Sequence, residues 1–110
     1  MLGKKLIIDT DLSVCKEIKY SLQNETTEVH YTLSAREGLE LFTKQSFCLV
    51  IMDILMSEID GLELLQTIRQ TKPVPILVLS SKIDISKKTY ALRAGVNAYL
   101  HKPYWIKFLD

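Results

Sequence analysis

Residues 49–61 read LVIMDILMSEIDG, and this stretch decides how the chain of 110 residues is parsed. Together with the preceding Cys48 it opens as an unbroken apolar run, Cys48 to Met52, that stops at one carboxylate, Asp53, with a turn signal, Asp60-Gly61, soon after. An apolar run of strand length that does not alternate belongs to a strand covered on both faces, so this segment is expected at the centre of a parallel sheet. Leaving a carboxylate unpaired in such a place costs several kcal/mol. Asp53 therefore either faces water at an ordinary strand-to-loop junction or has a partner and a role, and the other polar residues of the chain decide between the two.

On the N-terminal side, Lys5 to Ile8 is a short apolar run ending in Asp9-Thr10-Asp11. From Leu12 the period changes: Val14, Ile18 and Leu22, with Cys15 beside them, mark one face of a helix that Asp11 can cap. Glu28 to Thr32 alternates as a second strand does. Ser34-Ala35-Arg36-Glu37 is a capping box, followed by Ala35, Leu39 and Phe42 as the buried face of a second helix.

On the C-terminal side, Asp60 and Glu63 open a third helix whose inner face is Leu64, Leu65 and Ile68, and Lys72-Pro73-Val74-Pro75 ends it. Ile76 to Leu79 is a fourth strand, again apolar throughout and again ending in polar groups, Ser80-Ser81-Lys82. A fourth helix from Asp84 to Ala94 stops at Gly95; Asn97 to Leu100 is a fifth strand, ending in His101-Lys102-Pro103. Tyr104 to Asp110, with Trp105 and Phe108 facing inward, reads as the start of a fifth helix that is incomplete.

Composition narrows the class. With 47% hydrophobic and 25% charged residues the chain reads as one ordinary soluble domain, and its net charge of +1 offers no footprint for direct nucleic-acid contact. Cys15 and Cys48 have no partner at metal or redox spacing and are expected to be buried free thiols. No apolar run approaches the roughly 18 residues that span a bilayer, which leads to the expectation of a cytoplasmic protein with no membrane contact.

Strands alternating with helices imply a doubly wound α/β fold, a parallel sheet with helices on both faces. Ligands of such folds bind beyond the carboxyl ends of the strands. Asp9, Asp53, Ser80 and Lys102 end four different strands and are thus expected to meet on one edge. Two carboxylates suit a hard divalent cation such as Mg²⁺, and a lysine and a hydroxyl suit an anion. That set points to phosphoryl transfer, with Asp53 as the nucleophile that forms an aspartyl phosphate. A nucleotide-binding fold of similar shape would need a Gly-rich phosphate loop after the first strand, and none is present.

Asp9 at the first strand end, Asp53 with its Asp60-Gly61, Ser80 after the fourth strand and Tyr99-Leu100-His101-Lys102-Pro103 together resemble the receiver domain of bacterial two-component response regulators, over essentially the whole chain. The resemblance implies a five-stranded flavodoxin-like sheet of order 2-1-3-4-5, and a receiver domain over residues 1–110 that forms the N-terminal part of a longer regulator. It implies that Asp53 is the phosphoacceptor for a sensor histidine kinase and that Asp9 and the Leu55 carbonyl help hold Mg²⁺. Lys102 then pairs with the acceptor, Ser80 is the switch hydroxyl and Tyr99 the aromatic that follows it. Lys102-Pro103 matches a peptide bond commonly cis in the family. The domain is then a signalling module rather than an enzyme, catalysing at most its own phosphorylation and dephosphorylation. It would switch a face made of the fourth helix, fifth strand and fifth helix toward an output domain or effector, with transcription as the output and homodimerisation through the fourth and fifth helices.

Two positions depart from the family pattern. Thr10 stands where the second acidic residue usually ligates the metal directly, so Mg²⁺ is expected to bind weakly unless Asp11 or Glu58 substitutes; Ser57 stands where proline is usual after Met56. Thr10 supports an alternative reading as a pseudo-receiver, a protein-interaction module independent of phosphorylation.

Overall fold

The computed structural model describes residues 3–55, 61–82 and 84–102. Strands and helices alternate as β1 (Gly3–Ile8), α1 (Leu12–Leu22), β2 (Thr27–Thr32), α2 (Ala35–Lys44), β3 (Leu49–Asp53), α3 (Gly61–Thr71), β4 (Ile76–Ser80), α4 (Ile85–Arg93) and β5 (Ala98–His101). All pairings are parallel and the sheet order is β2-β1-β3-β4-β5, as the sequence led us to expect.

The reason β3 shows no alternation is visible in how its side chains divide. Val50 and Met52 join Leu6, Ile8 and Val78 in a core shared with Leu64, Leu65 and Ile68 of α3 and Phe42 of α2. Ile51 turns to the other face, where it meets Ile7, Leu79 and Cys15 and Ile18 of α1. Successive strand residues point to opposite faces, so a strand covered on both sides must be apolar at every position. Asp53 is where that requirement ends.

The helices start and stop on local chemistry. Asp11 accepts hydrogen bonds from the Ser13 and Val14 amides, Ser34 from the Glu37 amide and Asp84 from the Lys87 amide, each satisfying amides that the first helical turn leaves free. Lys72 Nζ donates to the Phe42 and Gln45 carbonyls at 3.2 and 3.3 Å, placing a cation at the C-terminal end of α2. Gly95 has φ +91°, a conformation that other residues rarely adopt. Gly61 is required for a different reason: a Cβ there would overlap the Ile54 backbone carbonyl, fixing how closely α3 returns to the end of β3.

Several details differ from expectation, including strand ends: β3 is Leu49–Asp53 rather than Cys48 to Met52, and β4 reaches Ser80. Cys15 is a buried free thiol, but Cys48 is exposed, because it precedes β3 at the amino-terminal rim of the sheet and belongs to neither core. The fifth strand begins at Ala98 rather than Asn97, since the Asn97 side chain and amide both bond to Ile76, at 3.0 and 2.8 Å, and close the turn before the strand. The Asp60 cap, Ser57, Glu58, the Lys102-Pro103 peptide and the fifth helix with Trp105 and Phe108 lie outside the described residues. Among the described residues no helix is long and apolar enough to cross a membrane.

Candidate functional site at the carboxyl edge of the sheet

β1 and β3 are neighbours, and their in-register pairing of Ile8 with Met52 brings Asp9 and Asp53 to the same edge one residue later. Asp9 is held by its own loop. Its amide donates to the Thr32 carbonyl at 3.1 Å, its Oδ1 accepts from the Asp11 amide at 2.9 Å, and the Cys15 thiol lies 3.4 Å from its carbonyl oxygen. Asp53 is held similarly, with Oδ1 accepting from the Leu55 amide at 2.8 Å. Both carboxylates are buried.

Lys102 supplies the countercharge. Its amide donates to the Ser80 carbonyl at 2.8 Å, extending the β4–β5 ladder by one residue and fixing the backbone from which the side chain reaches back. Lys102 Nζ lies 2.8 Å from Asp9 Oδ2 and 3.2 Å from Asp53 Oδ2. Only the contact with Asp53 is aligned as a hydrogen bond; with Asp9 it is an ion pair, which leaves Asp9 Oδ2 buried without an aligned donor. Burial raises the Asp9 pKa above its ordinary value, more than Lys102 and the Asp11 amide lower it. Burial works to lower the Lys102 pKa, but Asp9 and Asp53 together outweigh it and the ammonium is held above its ordinary value.

The hydroxyl groups are arranged differently. Ser80 Oγ donates to the Lys82 carbonyl at 2.6 Å and accepts from the Lys82 amide at 3.2 Å, so it is engaged by its own loop rather than by the acid pair. Tyr99 stands beside Val78 in register and packs on the core shared with α2 and α3. Ser80, two residues beyond Val78, therefore lies on the same sheet face as Tyr99. The Tyr99 hydroxyl is buried with no partner among the described residues.

The structure thus gathers Asp9, Asp53 and Lys102 into direct contact and places Ser80 and Tyr99 on the adjoining strands. Thr10 is exposed. Asp11, considered as a substitute metal ligand, caps α1 through Oδ1. The contact of Cys15 with the Asp9 carbonyl adds a brace to the site, which the position of this thiol beside the helical stripe does not signal. Burial and the neighbouring Asp9 and Asp11 push its pKa up to about 12, so it is an unreactive thiol.

A hard divalent cation fits this arrangement. Mg²⁺ keeps several waters and is commonly bound through one or two carboxylates, and Asp9 and Asp53 offer two, one with an oxygen that lacks an aligned donor. Among the described residues no three His, Cys, Asp or Glu side chains come together to hold a metal.

The comparisons with known proteins point the same way. The family model described as the response regulator receiver domain matches residues 6–109. The heme response regulator HssR of Staphylococcus epidermidis is 30% identical over 104 residues, 94% of this chain and 46% of that protein. The transcriptional regulatory protein YclJ of Bacillus subtilis is 31% identical over 101 residues, 92% of this chain and 44% of that protein. The chain therefore spans about half the length of the curated relatives it matches. Among solved structures, a CheY-like receiver domain protein from Methanospirillum hungatei superimposes with a TM-score of 0.92 at 28% identity, covering 99% of this chain and 88% of that one. A receiver domain protein from Clostridium thermocellum gives 0.89 at 31% identity, covering 98% and 88%. With the sheet order, the buried acid pair and its lysine already in place, these matches show that the chain belongs to the response regulator receiver domain family of two-component systems.

Proposed function

We propose that this domain accepts a phosphoryl group on Asp53 from the phosphohistidine of a sensor histidine kinase. The observation that carries the reading is the Asp53 carboxylate itself, buried at the end of the central strand and held from both sides, by the Leu55 amide at 2.8 Å and Lys102 at 3.2 Å. In the reaction an Asp53 oxygen bonds to phosphorus as the histidine N–P bond breaks, and the imidazole leaves with the bond's electron pair and takes up a proton. Lys102 orients the carboxylate and remains as countercharge to the transferred group. Asp9, Asp53, the Leu55 carbonyl and water would hold Mg²⁺, which would neutralise charge on the phosphoryl oxygens.

Phosphorylation would give Ser80 Oγ a stronger acceptor than the Lys82 carbonyl, and the Tyr99 ring would follow into the space it leaves. The α4–β5 face and the fifth helix would then change and act on an output domain or effector, or on a second copy. We read the domain as the receiver part of a longer cytoplasmic regulator of transcription, a reading supported by relatives that include proteins named as transcriptional regulators and span about twice its length.

Incubation with acetyl phosphate and millimolar Mg²⁺ tests this: intact mass should rise by one phosphoryl group in the wild type and not in Asp53→Asn. An unmodified wild type counts against the reading. Exposed Thr10 favours a second one, a pseudo-receiver that works through protein contacts alone. It predicts that the wild type binds no Mg²⁺ while Thr10→Asp does.

A further inference from the structure

A second site lies on the outer side of α1, away from the acid pair. Lys16, Lys19, Tyr20 and Gln23 share one helix face at spacings of three, four and seven, and with Tyr31 of β2 they line a cleft of about 480 Å³. Its two charged groups, Lys16 and Lys19, are donors. Lys19 Nζ sits 5.7 Å from the centroid of the Tyr31 ring, which positions the ammonium. Gln23 Oε1 already accepts from the Val29 amide, so the donor that the side chain offers a ligand is its NH₂ group. No carboxylate lines the cleft, and neither Lys16 nor Lys19 has an acidic partner among the described residues. Tyr20, 90% exposed, offers an uncovered ring beside these cations.

We propose that this cleft binds a phosphorylated small molecule with a flat ring, of the nucleoside diphosphate class, its phosphates on Lys16, Lys19 and Gln23 and its ring on Tyr20. The volume lies in the range of small-ligand pockets. A peptide adding to the sheet is disfavoured because the start of the β2 edge is already used, Thr27 pairing with Asn24 and the Val29 amide with Gln23. A polynucleotide is disfavoured by the net charge of only +1.

The test is an NMR titration of the ¹⁵N-labelled chain with ADP in chelator-treated buffer, so that no divalent ion bridges phosphate to Asp9 and Asp53. Saturating shifts are expected at the amides of residues 16–23 and 31, with Kd below about 1 mM. Adenosine and pyrophosphate alone should each bind at least about fivefold more weakly. The double variant Lys16→Ala/Lys19→Ala should lose about tenfold or more, and Tyr20→Ala about fivefold. All three side chains lie at the surface or rim, and unchanged unfolding midpoints would confirm that the variants fold. Shifts that do not saturate by about 10 mM, that survive in the double variant, or that pyrophosphate or adenosine reproduces at equal affinity would each overturn the proposal. Asp53→Asn should bind ADP like the wild type, which separates this site from the phosphoacceptor reading.

Discussion

On the β1–β3 side of the carboxyl edge, Asp9 and Asp53 share the Lys102 ammonium at 2.8 and 3.2 Å; on the β4–β5 side, the Ser80 hydroxyl is bonded back to Lys82 and the Tyr99 hydroxyl is buried without a described partner. The charged half is fixed, because removing one member of a buried ion cluster strands the others. The hydroxyl half is satisfied by its own loop, and one hydrogen bond of about 1 kcal/mol can be exchanged for another. The proposed function calls for both properties: an acceptor in place before the phosphoryl group arrives, and a responder that can still move.

The sharpest way to break this contrast is Lys102→Ala. It should cost about 3 kcal/mol at neutral pH by urea denaturation, because two buried carboxylates lose their only described cation. The deficit should shrink as pH falls and Asp9, whose pKa is already raised, takes up a proton. On the alkaline side, the contribution from the Lys102 ammonium is retained up to the unfolded lysine pKa of 10.5 and is lost as pH rises through the higher folded value. A neutral-pH cost no larger than that of a surface substitution would mean that the cluster is not the fixed half.

Ser80→Ala should cost less, about 1 kcal/mol, through loss of both bonds to Lys82. If it cost more than Lys102→Ala, the contrast would be inverted. Smaller still, Tyr99→Phe should be neutral or stabilising by up to about 0.5 kcal/mol, since it deletes a buried hydroxyl that has no described partner. A clear destabilisation would reveal a hydrogen bond. At the opposite, amino-terminal rim no effect is expected: alkylation of the native chain should take one thiol, Cys48, leave Cys15 untouched and not move the unfolding midpoint.

Much of the fold could be read from residue order. The unbroken apolar runs at β3 and β4 marked the doubly covered centre of the sheet, and Asp11, Ser34 and Asp84 act as helix caps from the positions that flank the periodic segments. Cys48 could not be placed this way, because a thiol one residue outside a strand looks the same in sequence as one inside it. The Cys15 contact with the Asp9 carbonyl was hidden for a related reason: it depends on how α1 sits over the sheet rather than on any local pattern.

By itself the sequence determined that Asp9, Asp53, Ser80 and Lys102 end strands of one parallel sheet, because strand ends and helix crossovers follow from local periodicity and chirality. Only the tertiary structure decided what those residues touch. That one ammonium serves two carboxylates is a matter of ångströms, set by register, burial and packing between segments far apart in the chain, and that the Ser80 hydroxyl bonds to Lys82 is set by the path of its own loop.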